Sequence, residues 1–331
     1  MTAPRHDVTG IGNAIVDVLA HADDRFLVEN AIAKGGMTLI DAARAKALYA
    51  KMGQAVEVSG GSAANTIAGI ASLGGRAAFI GKVANDQLGE VFAHDIRAGG
   101  VHFATPALYG GAPTGRCLIL VTPDAQRSMN TFLGAAQVLS PEDIDEAVIA
   151  ASAVTYLEGY LFDPPPAREA FYLAARLAHK AGRKIAFTLS DRFCVDRHRA
   201  EMHGFIERDV DILFANETEI TALTETGDFD AAMHAIRGAC EIAALTRSER
   251  GSVIVNGKDT HVIDPVKLGP VVDTTGAGDL YAAGFLFGLT NGRSLADSAK
   301  IASLCAAEVI SHIGPRPEKS LKALAAQHGL F

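Results

Sequence analysis

From residue 140 onward, short apolar runs alternate with longer stretches in which apolar residues recur every three or four positions. The short runs predict strands and the longer stretches predict helices. The predicted strands cover 153–157, 184–189, 212–215 and 241–245, and the predicted helices cover 164–181, 195–208, 216–225 and 229–239. Strands that alternate with helices in this way form a parallel sheet with helices on both faces. The second half of the chain therefore predicts an α/β fold.

The first half carries similar signals with more interruptions. Strands are predicted over His6 to Leu19, with a polar break inside, over Ala55 to Val58 and over Ala78 to Val83. The block Gly60-Gly61-Ser62-Ala63-Ala64-Asn65-Thr66 opens a helix of small residues that ends at Gly74-Gly75. Residues 105–133 are interpreted as strands separated by Gly110-Gly111 and by a turn at Pro123-Asp124. A helix is also predicted over 295–313, and a hairpin turn at Asn256-Gly257.

Candidate chemistry is concentrated in Val271-Val272-Asp273-Thr274-Thr275-Gly276-Ala277-Gly278-Asp279, which precedes a mostly apolar segment. This pattern predicts a loop that enters a helix, with glycines that allow close approach of another molecule. The first-turn N–H groups of a helix have no intrahelical acceptor and bind anions such as phosphate. Asp279 at that position suits a general base that takes a proton from a hydroxyl beside a phosphoryl group. Its alternative role is to complement the helix dipole.

Composition narrows the possible partners. The chain has 331 residues, is 49% hydrophobic and 21% charged, and carries a formal net charge of −8. Without a basic run, nucleic acid is an unfavourable partner. None of the four cysteines pairs at C-x-x-C spacing, which predicts reduced thiols. With no signal peptide and no apolar run of about 20 residues, we expect a cytoplasmic protein without a membrane partner.

Two further patterns bear on the site. Gly10 and Gly12 begin a dinucleotide-binding pattern, but Ile15 stands at the third glycine position, so an NAD-dependent oxidoreductase is disfavoured. Polar residues follow the predicted strands, where open α/β sheets bind ligands. They are Glu158, Asp191, Asn216 with Glu219, and Thr246. Asn216 and Glu219 also have the spacing of a capping box.

The segment from Asp273 to Asp279 is similar to the C-terminal signature of the PfkB (ribokinase-like) family of sugar and nucleoside kinases. Other signatures of that family follow in the same order along nearly the whole chain. They resemble the Gly60–Thr66 block, Asn216-x-x-Glu219, and Thr246 to Gly251, in which Ser248 replaces a glycine. The resemblance implies an α/β ribokinase-like three-layer sandwich with a mainly parallel central sheet. It also implies one domain over 1–331, with a small β-rich lid from roughly 18–58 and 105–131.

The resemblance implies roles for individual residues. In catalysis, Asp279 is the base, the amides of Gly276, Ala277 and Gly278 hold the γ-phosphate, and Arg127 assists, unless Arg127 is an exposed turn residue. Substrate binding is assigned to Asn13, Asp17, Gly61 and Asn65, and Phe132 and Leu133 pack on an apolar moiety or belong to the core. ATP contacts are assigned to Asn216, Thr246, Gly251, Gly276 and Gly278. Glu219 holds Mg²⁺ partly through water, and Asp273, Thr275 and Ser311 are candidates for K⁺.

Gly12-Asn13, the Gly60–Thr66 block and Tyr156-Leu157-Glu158-Gly159-Tyr160 look most like bacterial adenosine kinase-like members of the family. The resemblance therefore implies an ATP-dependent kinase of purine salvage that converts adenosine to AMP. A sugar kinase of the ribokinase, fructokinase or 2-keto-3-deoxygluconate kinase type is the alternative. A non-catalytic nucleotide- or sugar-binding protein is a distant one, because Asp279 and Glu219 are intact. The sequence leaves monomer and homodimer open.

Overall fold

The computed structural model describes residues 3–124 and 126–331. The strands are β1 (His6–Ile11), β2 (Ile15–His21), β3 (Met37–Leu39), β4 (Ala55–Gly60), β5 (Ala77–Ile80), β6 (His102–Phe103), β7 (Thr114–Val121), β8 (Arg127–Gly134), β9 (Ser152–Glu158), β10 (Lys184–Thr188), β11 (Ile212–Asn216), β12 (Ile242–Thr246), β13 (Ser252–Asn256) and β14 (Asp259–Ile263). The helices are α1 (Asp24–Glu29), α2 (Ala42–Tyr49), α3 (Ser62–Ser72), α4 (Gln87–Ala98), α5 (Glu146–Ala150), α6 (Pro165–Lys180), α7 (Arg192–Asp209), α8 (Glu217–Thr224), α9 (Phe229–Ile236), α10 (Ala277–Thr290), α11 (Leu295–Val309) and α12 (Leu321–Gln327). The alternation predicted for the second half is confirmed.

The larger sheet contains, within the described residues, nine strands in the order β14-β13-β12-β11-β10-β9-β1-β5-β6. The strands from β12 to β6 are parallel, and β13 and β14 add the predicted antiparallel hairpin at one edge. The chain runs from β1 through β5 toward one edge and from β9 through β12 toward the other. The connections therefore change direction between β1 and β9, and such a point opens a crevice at the carboxyl ends of the strands.

Helices cover both faces of this sheet. On one face, strand residues such as Val8, Tyr156 and Phe214 pack in one core with residues of α3, α10 and α11. On the other face, residues such as Leu157, Phe187 and Leu213 pack with α6, α7 and α8. Side chains of a strand alternate between the faces, so one parallel sheet supports both cores. This confirms the predicted three-layer α/β class.

Helix α10 lies between α3 and α11 and is buried at every residue from Leu280 to Gly288. Glycines make the contacts close. A Cβ atom on Gly69 would lie 2.6 Å from Leu280, and one on Gly284 would lie 2.6 Å from the Ala302 Cα atom. Because such interfaces leave no room for rearrangement, the first turn of α10 is held firmly in place.

The smaller sheet has the strand order β3-β8-β7-β2-β4 among the described residues. One of its faces, with Val16, Val18 and Leu118, packs on α2 and α4 through the same core as α10. The other face carries Ile15 and Cys117. The strands lie within or beside the two segments expected to form a lid. The movement of this sheet over a ligand stays a prediction.

The structure differs from the sequence pattern at two places. Of residues 105–109, only Leu108 pairs, in an isolated bridge with Ala84, and the strand begins at Thr114. The last long helix ends at Val309 instead of 313, and the carbonyl of the next residue, Ile310, accepts hydrogen bonds from the N–H groups of Val272 and Asp273 instead of from a further helical turn. In the described part of the chain, the cysteines are free thiols, as predicted. No helix of those residues has both the length and the apolarity that a bilayer crossing needs.

Candidate active site

The crevice between β1 and β9 is closed by a fully buried carboxylate, Glu158. It accepts hydrogen bonds from the backbone N–H and the Nδ2 atom of Asn13, at 2.9 and 2.6 Å, and from the backbone N–H of Ala63, at 2.8 Å. A Cβ atom on Gly12 would lie 2.3 Å from the Glu158 Oε2 atom, so glycine is required there. Glu158 thus joins the segment after β1 to the first turn of α3.

Asp279 lies half-buried in the first turn of α10 and faces the first turn of α3. Its Oδ1 atom accepts a hydrogen bond from the Ser62 Oγ atom at 2.6 Å, and its Oδ2 atom accepts one from Asn65 Nδ2 at 3.0 Å. Burial raises the pKa of Asp279 to about 6, against the opposing effects of these hydrogen bonds and of the Arg316 guanidinium. A carboxylate that titrates near neutral pH can act as a general base.

The start of α10 presents backbone donors. The first hydrogen bond of the helix runs from the N–H of Leu280 to the Gly276 carbonyl at 2.8 Å, so the N–H groups of Gly278 and Asp279 precede it. The N–H of Ala277 points instead to the Thr274 carbonyl, at 3.2 Å. Among the described residues, nothing lies within 4 Å of the position of a Cβ atom on Gly278. This open space beside a helix N-terminus can hold an anion.

Arg127 of β8 forms a buried ion pair with Asp273, with 2.7 Å between the Nη1 and Oδ2 atoms. Asp273 also accepts hydrogen bonds from the N–H groups of Thr275 and Gly314, both at 3.0 Å. The alternative that Arg127 is an exposed turn residue is therefore wrong, because the smaller sheet places its side chain inside the protein. The pair connects that sheet to the loop before α10.

The substrate candidates gather near the beginning of α3. Buried Asp17 lies against Gly60, where a Cβ atom would be 2.4 Å from the Asp17 carboxyl carbon. Burial raises the pKa of Asp17 to about 7, although the charges of Arg316 and Arg127 oppose this. Gly61 has a φ of 103°, and a Cβ atom there would lie 2.1 Å from the Asn13 carbonyl oxygen. Asn65, the fourth candidate, is buried and not turned to solvent.

The structure separates the two apolar candidates, Phe132 and Leu133. Asp17 pairs with Cys117, and Cys117 pairs with Thr131, so these three side chains share one face of the smaller sheet. Because side chains alternate along a strand, Leu133 lies on that face and Phe132 lies on the other. Leu133 is half-buried there, whereas Phe132 is buried opposite Arg116.

The ATP candidates lie at the carboxyl ends of β11 and β12, where Asn216 and Thr246 are paired. The predicted capping box is confirmed. The N–H and Nδ2 groups of Asn216 donate to the Glu219 carboxylate at 2.9 and 2.6 Å, and the N–H of Glu219 donates back at 2.8 Å. Burial raises the pKa of Glu219 to about 7, helped by the neighbouring carboxylates of Asp191 and Asp279 and opposed by the hydrogen bond from the Asn216 N–H.

The loop after Thr246 is tight. Gly251, with a φ of 76°, accepts a hydrogen bond from the N–H of Arg247 at 2.8 Å, and a Cβ atom on it would lie 2.0 Å from the Ile263 carbonyl oxygen. Ser248 has a φ of 52°, a left-handed conformation that favours glycine. This explains why the similar family motif has glycine at the position of Ser248.

The donor sets differ in how well they suit metal ions. In the described residues, no group of three or more His, Cys, Asp or Glu side chains is arranged to hold a metal. Glu219 already accepts hydrogen bonds on both oxygens, so it suits Mg²⁺ through water better than as a direct ligand. The Asp273 carboxylate already serves a guanidinium, and the Ser311 hydroxyl donates to the Glu308 carbonyl at 2.7 Å. Thr275 contributes its N–H to Asp273, and the K⁺ role of these three residues stays a prediction.

For three residues of the site, the sequence predicts no individual role. Glu158 was visible only as an acid after a buried strand, and Ser62 only as part of a glycine-rich block. Arg316 lies in the Gly314-Pro315-Arg316-Pro317 loop and donates to the carbonyl of Ser59. Nothing in its local sequence indicates that it contacts β4.

Buried acids predict how stability depends on pH. The pKa is raised to about 7 for Asp17, Glu158 and Glu219 and to about 6 for Asp279. A carboxyl with a raised pKa in the folded state contributes stability that is complete below its unfolded pKa, near about 4, and is lost as pH rises through the folded value. We therefore expect the unfolding temperature of the ligand-free protein to fall between about pH 5 and about pH 8.

Differential scanning calorimetry at constant ionic strength measures this fall. Asp17→Asn removes one of the four groups and should make the dependence shallower. An unfolding temperature that rises over this range, or an Asp17→Asn variant with the unchanged slope, would contradict the prediction.

Comparisons with known proteins place this geometry in context. Residues 30–321 match the pfkB family carbohydrate kinase profile. The crystal structure of adenosine kinase from Sinorhizobium meliloti is 57% identical, with a TM-score of 0.92 over 98% of this chain and 99% of that chain. A probable sugar kinase from Rhizobium etli CFN 42 is 52% identical, with a TM-score of 0.93 over 99% and 100%. An adenosine kinase from Saccharomyces cerevisiae is 26% identical over 95% of this chain and 97% of its own.

Proposed function

This chain belongs to the pfkB family of carbohydrate kinases, and from that premise we propose that it phosphorylates adenosine at the 5′-hydroxyl to give AMP. It is a phosphotransferase that acts on a hydroxyl group of a nucleoside or a sugar. The observation that supports adenosine is the identity, at more than half of the aligned positions and along nearly the full length, to the adenosine kinase from Sinorhizobium meliloti.

In the proposed mechanism, Asp279 is the general base. Ser62 and Asn65 hold its two carboxylate oxygens toward the first turn of α3, beside the substrate candidates. Asp279 accepts the proton of the substrate hydroxyl while that oxygen forms a bond to the γ-phosphorus and the bond to ADP breaks. With its pKa raised to about 6 by burial, Asp279 is largely ionised at neutral pH and remains a useful base.

The phosphoryl group is proposed to lie beside the open space at Gly278. Of the three predicted amides, that of Gly278 precedes the hydrogen bonds of α10 and can donate to its oxygens together with the N–H of Asp279. The N–H of Ala277 already donates to the Thr274 carbonyl, and the role of the Gly276 amide stays a prediction. Arg127 reaches the same loop through Asp273, and its buried Nε and Nη2 atoms have no hydrogen-bond partner among the described residues. Buried donors without acceptors are costly, and phosphoryl oxygens would satisfy them.

The ribose is proposed to bind between β2 and α3. The Oδ1 atoms of Asn13 and Asn65 are buried and lack hydrogen-bond partners among the described residues. Together with the Asp17 carboxylate, they form a set of acceptors that suits a ligand rich in hydroxyl donors. Leu133, which lies on the same face of the smaller sheet as Asp17, would pack against the adenine of the substrate.

ATP is proposed to bind along the ends of β11 and β12, with contacts from Thr246, Gly251 and Asn216. Glu219 would hold Mg²⁺ through water, and the ion would neutralise part of the charge of the triphosphate. The smaller sheet would close over the bound pair and exclude water, which limits hydrolysis of ATP. The Arg127–Asp273 pair connects that sheet to the loop before α10.

A sugar kinase is the second candidate, and the similarity to a probable sugar kinase from Rhizobium etli favours it. Both candidates use the same base and the same phosphate site, so only the acceptor distinguishes them. A preference for a free sugar would change the roles of Asn13 and Leu133 and leave that of Asp279.

The decisive experiment measures ADP release by the purified protein with Mg-ATP. The acceptor panel contains adenosine, inosine, guanosine, ribose, fructose and 2-keto-3-deoxygluconate. We expect kcat/KM for adenosine to exceed that for every free sugar by about a hundredfold or more, because a free sugar lacks the apolar nucleobase that would pack against Leu133. A free sugar that is preferred would contradict adenosine, and turnover of none would contradict the mechanism.

A further inference from the structure

The hydroxyl of Tyr281 joins helix α10 to strand β13. It donates a hydrogen bond to the Ser252 Oγ atom at 2.7 Å, and both residues are buried. Ser252 is the first residue of β13 and directly follows Gly251, whose φ is 76°. The hydrogen bond therefore attaches α10 to the end of the β12–β13 loop, which consists of residues 247–251.

Ser252 lies beside Thr246, one of the proposed ATP contacts. The two residues are directly opposite each other in the antiparallel pairing of β12 and β13. Opposite residues of such a pair point to the same face of a sheet. Here it is the face that carries Ala244 and Ile254 and packs on α10 and α11. Tyr281 thus approaches the carboxyl end of β12 from this face, next to the place where ATP is proposed to bind.

The start of α10 has different partners on its two sides. Asp279 is directed to α3, where Ser62 and Asn65 donate hydrogen bonds to it. Tyr281 follows two residues later, about 200° further around the helix axis, and is directed to β13. Gly278 precedes Tyr281 by three residues, so the two lie on the same side of the helix. The open space at Gly278 and the β12–β13 loop are therefore on one side of α10, and the base is on the other.

We propose that Tyr281 is a positioning residue for ATP, which fixes the β12–β13 loop to the start of α10 through the Ser252 hydroxyl. The inference rests on the proposed function, in which Thr246 and Gly251 contact ATP and the N–H of Gly278 contacts the phosphoryl group. One nucleotide has to reach both places, so their separation has to match its length. The hydrogen bond holds this separation before ATP binds, which reduces the cost of binding.

The size of the effect follows from the loss of one buried hydrogen bond. Without the Tyr281 hydroxyl, the β12–β13 loop can move relative to α10, and the arrangement that binds ATP is populated for a smaller fraction of the time. The apparent affinity for ATP falls by the same fraction. The net contribution of one hydrogen bond corresponds to about a two- to tenfold change in an equilibrium constant. The contacts of Asp279 with α3 do not involve this hydroxyl, so the chemical step should be unaffected.

The test removes the hydrogen bond from either side, in Tyr281→Phe, in Ser252→Ala and in the double variant. Steady-state kinetics are measured for the full chain with Mg-ATP and the preferred acceptor. We expect the KM for ATP to rise about fivefold in each single variant, with kcat and the KM for the acceptor changed by less than about twofold. The double variant should resemble the single variants, because each single change already removes the same contact.

Ser152→Ala is the matched control. The Ser152 Oγ atom also shares a hydrogen bond with a buried hydroxyl, that of Thr9 at 2.5 Å. Ser152 is the first residue of β9 and so lies at the end of the parallel strands opposite to the site. This variant should lose stability without a change in the KM for ATP.

Calorimetric titration with Mg-ADP measures nucleotide binding in the same proteins without turnover. The Kd for Mg-ADP should rise about fivefold in Tyr281→Phe and in Ser252→Ala, and it should stay constant in Ser152→Ala. If the original protein binds Mg-ADP but phosphorylates no acceptor of the panel, the titration still decides the role of Tyr281.

An unchanged Kd for Mg-ADP in Tyr281→Phe would overturn the inference. A weakening of nucleotide binding that Ser152→Ala shares would also overturn it, because loss of stability alone would then explain the effect. The same holds if the effects of the two single changes multiply in the double variant. An original protein that does not bind Mg-ADP would overturn the proposed function and this inference together.

Discussion

Replacing Asp279 by asparagine is expected to lower kcat by about a thousandfold or more, since a positioned general base contributes about 10² to 10⁴ in rate. Asparagine has the shape of aspartate and can still accept a hydrogen bond from Ser62, but it cannot take the proton of the acceptor hydroxyl. Affinity for ATP should be retained, because the N–H groups at the start of α10 are unchanged. Steady-state turnover and calorimetric titration with ATP measure the two effects separately.

Asp297→Asn is the matched control for this variant. Asp297 also lies in the first turn of a helix, α11, and its carboxylate accepts a hydrogen bond from the Ser294 hydroxyl, but it is exposed. If the negative charge of Asp279 only complemented the helix dipole, the two variants would show similar small losses of kcat. Substantial turnover of Asp279→Asn, for example within about tenfold of the original, would remove Asp279 as the base.

Glu158→Ala is expected to lower the free energy of unfolding by about 3 kcal/mol, as the loss of a buried acceptor of several hydrogen bonds does elsewhere. The change leaves the N–H and Nδ2 of Asn13 and the N–H of Ala63 without an acceptor in a fully buried place. It should also weaken acceptor binding, because Asn13 and the first turn of α3 lose their common partner. Urea unfolding with and without the acceptor measures both effects.

Glu169→Ala provides the comparison, because Glu169 is exposed on α6 and its removal should change stability by no more than about 0.5 kcal/mol. Glu158→Gln tests the chemistry more finely. Both oxygens of Glu158 accept hydrogen bonds from N–H groups. In Glu158→Gln an NH₂ group replaces one of these oxygens, so this donor would face an N–H donor. If the Glu158→Ala variant is as stable as the Glu169→Ala variant, the structure of the crevice does not depend on the Glu158 carboxylate.

Features encoded by neighbouring residues could be predicted from the sequence. The alternation of apolar runs predicted the parallel sheet, and the Asn216–Glu219 spacing predicted a capping box whose members are only three residues apart. Glycines before an acid predicted the open start of α10. In each case the physical cause lies within a few residues along the chain, so a short segment carries the whole signal.

Features that depend on strand register or on distant loops could not be predicted. Whether Phe132 or Leu133 faces Asp17 is decided by the pairing of β2, β7 and β8, and a shift of one residue would exchange them. The Arg127–Asp273 pair and the Arg316–Ser59 contact join segments that are far apart in sequence. The turn before Arg127 also permits an exposed arginine, and the packing of the smaller sheet buries it instead.

The late position of α10 and α11 in the chain has a consequence for protein synthesis. Together with α3, these two helices cover one face of the larger sheet, yet every described strand of that sheet precedes residue 264. A nascent chain at that length can pair its strands, but side chains such as Tyr156 and Phe214 still lack their cover. Such an exposed apolar surface is prone to association, so ribosome-bound intermediates and chains truncated before α10 should be substrates for chaperones and proteases.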